Sequence, residues 1–166
     1  MDNMTRLKNL MKRAVNGESL VISFLGGSIT QGSLSSTPKT CYAYLVYEWW
    51  KKSFSNAAFS FVNGGIGGTT SHYGGARAWK DVLCYRPDIV TVDFSVNDDA
   101  NEFFEETYEG TLRRLLAAPS APAVVVLNNV FYDTGKNAQD YHNRIADHYG
   151  IPHVSIKDTV YHDVES

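Results

Sequence analysis

The sequence predicts an α/β domain: a five-stranded parallel sheet with helices on both faces, three layers in all. Three observations carry this reading. Short, continuous apolar runs recur along the chain, the pattern of strands buried on both sides. Stretches with apolar residues at helical spacing separate them. The strict alternation of the two kinds of segment belongs to successive βα units rather than to separate sheets and bundles.

Each element can be argued in order. Leu7, Leu10, Met11 and Ala14 lie on one face of a first helix, and Gly17 ends it, as a residue free to take positive φ should. Leu20 to Leu25 is the first strand, followed by Gly26 and Gly27. A Ser- and Thr-rich loop from Gln31 to Thr40 leads to a second helix whose expected inner face is Tyr42, Leu45, Val46 and Trp49. Phe59 to Val62 is the second strand, broken at Asn63-Gly64-Gly65. A helix over Ala76 to Cys84 turns Trp79, Val82 and Leu83 inward, and Pro87 separates it from a third strand, Ile89 to Phe94. Tyr108, Leu112, Leu115 and Leu116 mark a helix closed by Pro119 and Pro122. Val124 to Leu127, a helix over Ala138 to Tyr149, and a strand over His153 to Ile156 complete the pattern.

Length and composition bound the rest. A chain of 166 residues with 43% hydrophobic and 20% charged residues has the composition of one globular domain. A formal charge of −3 argues against nucleic acid as a partner, since phosphate-binding domains are usually strongly basic. No apolar run reaches the roughly 18 residues of a membrane span, and Lys8, Lys12 and Arg13 interrupt the N-terminal segment where an export signal would be apolar. The expectation is a soluble chain with no membrane partner. Cys41 and Cys84 are too few for a disulfide scaffold and are expected to be free thiols. Neither a cofactor nor a metal is called for.

In open parallel sheets, ligands bind outside the carboxyl ends of the strands, where strand order reverses. Polar turns leave the first three strands at that edge: Gly26 to Thr30, Asn63 to Thr70, and Ser95 to Asp98. A serine behind two glycines can present its hydroxyl and its own N–H to a cleft. The nucleophile-elbow pattern G-x-S-x-G fails, because position 30 is threonine. The glycine-rich second turn lacks both the Walker Lys-Ser/Thr pair and the third glycine of a dinucleotide loop. Asn97 can donate to a developing oxyanion or, with Asp98, form an Asx-turn or helix cap.

Together, in this order, the three turns resemble the blocks of the SGNH (GDSL-like) hydrolase family. Gly26-Gly27-Ser28-Ile29-Thr30 is similar to the first block, Asn63 to Thr69 to the second, and Ser95-Val96-Asn97-Asp98 to the third, with Ser95 where the family usually has glycine. The resemblance implies a flavodoxin-like three-layer α/β/α sandwich. It also implies a serine esterase with Ser28 as nucleophile and an oxyanion hole made by the N–H groups of Ser28 and Gly68 and the side chain of Asn97. The implied substrate is a small acyl ester, by similarity of the first block an acetyl group on a carbohydrate. A binding module that has kept the fold and lost the base is the alternative. Among aromatic residues near the turns, Tyr42, Trp49, Trp50, Tyr73 and Trp79 suit a sugar-facing rim, although the spacing of Trp49 and Trp79 points to core.

The family's late Asp-x-x-His has no match. Asp158 and His162 are one residue too far apart, so the domain is expected to be truncated at its C-terminal end, the alternatives being a base from another chain or a recruited His162. Another copy or a C-terminal segment is then expected to cover the exposed sheet face. His142 and His148 on a helix and His153 on a strand each have a structural reading ahead of a catalytic one, and His72 in the second turn is expected to line the pocket but sits on the wrong segment for the family's base. Asp93 lies within an apolar strand, where a carboxylate needs a partner; Arg77 or nearby backbone N–H groups are expected.

Overall fold

Strand order in the sheet is β2-β1-β3-β4-β5, all parallel. The strands are β1 (Ser19–Gly26), β2 (Ala58–Gly65), β3 (Ile89–Asp93), β4 (Ala123–Asn128) and β5 (His153–Ser155). This computed structural model describes residues 1–161 and 163. The chain leaves β1 outward to β2 and returns across it to β3, so strand order reverses between β1 and β3. A crevice opens at such a reversal.

Helices α1 (Asn3–Val15) and α3 (Tyr42–Ser53) cover one face. Leu10, Ala14, Ala43 and Trp50 pack there against Leu20, Ile22, Phe24 and Ile89. Helices α4 (Ser71–Asp81), α5 (Glu102–Leu116) and α6 (Gln139–His148) cover the other face. Ala78, Tyr108, Leu112, Leu115 and Ile145 meet Leu25, Val90, Val92, Val124 and Val126 in that second core. The helix starts are set locally: Asp2 accepts from the Thr5 N–H at 2.8 Å and Asn101 from the Phe104 N–H at 3.1 Å, satisfying first-turn donors that lack intrahelical acceptors. Gly17, with φ of +79°, turns the chain from α1 into β1. No helix among the described residues is long and apolar enough to cross a membrane.

The expected elements are all present, with four differences. Strand β2 continues through Asn63-Gly64-Gly65, because its pairing with Phe24, Leu25 and Gly26 continues. Helix α4 starts at Ser71, five residues ahead of Ala76, since a carboxylate from a distant turn caps it. The inner face of α3 is rotated. Trp50 is 5% exposed, whereas Leu45 and Trp49 are 55% and 52% exposed. This helix has aromatic rings on more than one side, and Trp50 wins the core by stacking on Phe54 at 5.2 Å. Trp79 is 58% exposed, because α4 turns its small side inward: a side chain at Gly74 would overlap Phe94, and one at Gly75 would crowd Thr111. Cys41 and Cys84 are both free thiols, the first buried and the second exposed.

Candidate active site

Ser28 opens a single helical turn, α2 (Ser28–Gln31), directly after β1. Gly26 and Gly27 are required by close approach. A side chain at Gly26 would overlap Thr30 and the Asp93 carbonyl, and one at Gly27 would overlap the Asn97 carboxamide. The Gly27 N–H donates to the Asp93 carbonyl at 3.2 Å, tying this turn to β3. Gly32, with φ of +93°, ends α2. The Ser28 hydroxyl makes no hydrogen bond to the described residues, and its N–H lies in a helix first turn, where no intrahelical acceptor exists.

The second turn folds back onto the first. Ile66 N–H donates to the Gly26 carbonyl at 3.1 Å, Gly67 N–H to Gln31 Oε1 at 2.8 Å, and Asn63 Nδ2 to the Thr30 carbonyl at 2.8 Å. A side chain at Gly67 would come within 3.8 Å of Ser28 Cβ. Gly68 follows with φ of +70°, a left-handed conformation that glycine adopts without strain. Behind both turns lies Arg77. Its Nη1 donates to the Gly64 carbonyl at 2.5 Å and to Asp81 at 3.0 Å. Its Nη2 donates to the Gly26 carbonyl at 2.8 Å and to Thr69 Oγ1 at 3.2 Å. One buried guanidinium thus joins the ends of β1 and β2, from which Ser28 and Gly68 project.

In the third turn, the Asn97 and Asp98 N–H groups both donate to the Phe94 carbonyl at 2.9 Å. This turn lays the Asn97 carboxamide against Gly27, next to Ser28. That carboxamide has no hydrogen-bond partner among the described residues. Asp98 is buried, and the cap it forms belongs to a different helix. Its Oδ1 accepts the Ser71 N–H of α4 at 2.8 Å, and its Oδ2 faces His142 Nε2 of α6 at 3.1 Å. The His142 ring lies flat on Tyr108, centroids 3.6 Å apart. Burial holds this imidazole below its usual pKa against the pull of Asp98. A carboxylate at Nε2 and an unpartnered Nδ1 fit a neutral ring with its proton on Nε2.

Of the two kinds of partner expected for Asp93, the backbone N–H groups are present and Arg77 is not, its Nη1 and Nη2 going to the Gly26 and Gly64 carbonyls, Thr69 and Asp81. Asp93 instead accepts from Asn129 Nδ2 at 2.6 Å, with backbone N–H groups of Ser95 and Asn129 also helping. Burial raises its pKa to about 6, offset in part by these hydrogen bonds. The Ser95 hydroxyl stands 2.8 Å from the Asn129 carbonyl and 3.3 Å from Asp93 Oδ1. It has one proton, and the shorter contact claims it. A protonated Asp93 can then donate to Ser95 Oγ and complete the chain.

No histidine among the described residues is hydrogen-bonded to Ser28. His72 is exposed against Phe103, His148 against Tyr149, and His153 pairs with Asp147 at 3.1 Å. Asp158 accepts from Gln139 at 3.0 Å. His162 lies outside the described residues. The aromatic rim is corrected too. Trp79 borders a cavity with Arg86 and Pro119, residues that precede β3 and β4, and Trp49 packs on Phe54 ahead of β2. Both tryptophans are therefore at the amino edge, away from Ser28. A cavity of about 550 Å³ adjoins the third turn, between Ser95, Asp98, Phe131, Lys136 and Lys157, without Ser28 in its lining.

A parallel sheet in the order 2-1-3-4-5 with helices on both faces is a three-layer α/β/α sandwich. Residues 24–164 match the GDSL-like Lipase/Acylhydrolase family, and the chain belongs to it. An acetylxylan esterase of Geobacillus stearothermophilus is 30% identical over 156 residues, covering 81% of this chain and 69% of that protein. The crystal structure of a two-domain esterase (CEX) active on acetylated mannans is 57% identical with a TM-score of 0.95. It matches 96% of this chain, which spans only 43% of that one. The fold also matches the Geobacillus stearothermophilus acetylxylan esterase Axe2, with a TM-score of 0.69 at 19% identity, over 90% of this chain and 82% of that one.

Proposed function

We propose that this chain carries the nucleophile and oxyanion donors of a serine esterase that removes acetyl groups from carbohydrates. One observation carries the reading: the Asn97 carboxamide, with no hydrogen-bond partner among the described residues, is seated on Gly27, the residue just before Ser28, whose hydroxyl is likewise unbonded among them. The relatives' activity on acetylated xylan and mannan supports the substrate class.

In this reading Ser28 Oγ attacks the acetyl carbonyl as its proton passes to an imidazole, which an unassisted serine requires. The tetrahedral oxyanion is received by the Ser28 and Gly68 N–H groups and by Asn97 Nδ2. The sugar hydroxylate leaves with the proton from the imidazole, and water then cleaves the acetyl-enzyme by the reverse sequence. The base comes from outside the described residues, since His72, His142, His148 and His153 each have another place. The test is acetate release from acetylated manno- and xylo-oligosaccharides. Release should occur with the wild type and vanish with Ser28→Ala. Binding of these sugars with no release of acetate would favour a non-catalytic module.

A further inference from the structure

The three proposed oxyanion donors sit on three separate turns, and catalysis by such donors depends on fixed geometry, with each near 3 Å from a common oxygen position. Arg77 joins the first two turns. The second and third are joined by Asp98. It directly follows Asn97, and its Oδ1 holds the Ser71 N–H at 2.8 Å, three residues beyond Gly68. Its other oxygen is held from beneath by His142 at 3.1 Å. That ring is fixed in turn by its stack on Tyr108.

We infer that Asp98 is a positioning residue for the oxyanion site. Its carboxylate, braced by His142, sets the separation of the Gly68 and Asn97 donors. Asp98 touches no substrate in this account and acts only through its neighbours. The number of buried bonds it makes exceeds what capping one helix requires: the α6 contact adds nothing to the cap of α4, but it removes the carboxylate's freedom to swing. The same pair links α6 to the site, so packing of that helix bears on oxyanion geometry.

The kinetic half of the test rests on the esterase reading; the other half does not. Asp98→Asn keeps the acceptor for Ser71, Asp98→Ala removes it, and His142→Phe keeps the stack on Tyr108 while removing the brace. Each is made in the full chain and compared with wild type by p-nitrophenyl acetate kinetics and by hydrogen exchange of the Ser71 amide. Asp98→Ala should lower kcat about 10- to 100-fold with KM within twofold, and speed Ser71 exchange at least tenfold. Asp98→Asn should restore both to within about threefold, and His142→Phe should give a smaller loss of the same kind. A folded Asp98→Ala that keeps kcat within twofold, or keeps Ser71 protected, overturns the inference. If Asp98→Ala does not fold, unchanged kcat and exchange in His142→Phe overturn it instead. If even wild type fails to turn over ester, the esterase reading falls, and Ser71 exchange in the variants still decides whether Asp98 holds the two turns together.

Discussion

Asn97 and Gly27 form a pair whose contact can be tested from either side. Asn97→Ala should leave the fold intact and reduce kcat about 10²- to 10³-fold, the usual cost of one oxyanion donor. Gly27→Ala should do comparable damage by pushing the carboxamide away, since its methyl would overlap Asn97. Equal acetate release by either variant and wild type would remove Asn97 from the site. Asp93 makes a pH-dependent prediction. Its pKa is raised from 3.8 to about 6 in the fold, so the native state holds this proton more tightly than the unfolded chain. The associated stability is fully present below pH 3.8 and is lost as pH rises through 6, up to about 3 kcal/mol. Asp93→Asn should therefore gain stability relative to wild type between pH 4 and pH 7.5, read from denaturant unfolding at the two pH values. A difference independent of pH would contradict the shift. The need for a partner at Asp93 was legible in the sequence, because a carboxylate inside an apolar strand demands one. Its identity was legible only in part: backbone N–H groups were expected and take part, but the Asn129 side chain follows β4, and only the β3–β4 pairing brings it to Asp93.

Among the elements, the strands were the most legible, since continuous apolar runs leave little freedom. Helix faces were less so. On α3 the aromatic residues form two overlapping stripes, and periodicity favoured the one ending at Trp49 over the one ending at Trp50. Packing against Phe54 and Phe59 decided between them, and neither contact is readable from helical spacing. Trp50→Ala should accordingly cost about 3–5 kcal/mol of unfolding free energy, and Trp49→Ala about 1 kcal/mol or less, by chemical denaturation. Similar costs for both would mean that the helix is rotated from the orientation described. The start of α4 was hidden for a related reason. Its cap comes from Asp98, 27 residues away from Ser71 in sequence, and local cap signals do not register such a partner.

For the whole molecule, the order of three glycine- and asparagine-bearing turns along an alternating α/β pattern carried both the fold and the family, and residues 24–164 bear out that family. Ser28, Gly68 and Asn97 were proposed from the motif order alone. The structure gives that order a spatial meaning by placing β1 between β2 and β3, so that their three turns open onto one edge. A proton acceptor for Ser28 was legible in neither: the sequence has no Asp-x-x-His match, and no histidine among the described residues is hydrogen-bonded to Ser28. The central claim is that Ser28 is an activated nucleophile, and its most direct test is covalent. The protein is treated with a fluorophosphonate, and the adduct is mapped by peptide mass spectrometry. A single adduct on Ser28, absent from Ser28→Ala and slowed by an acetylated mannan oligosaccharide, is the predicted result. No adduct, or one on any other serine, would contradict the account.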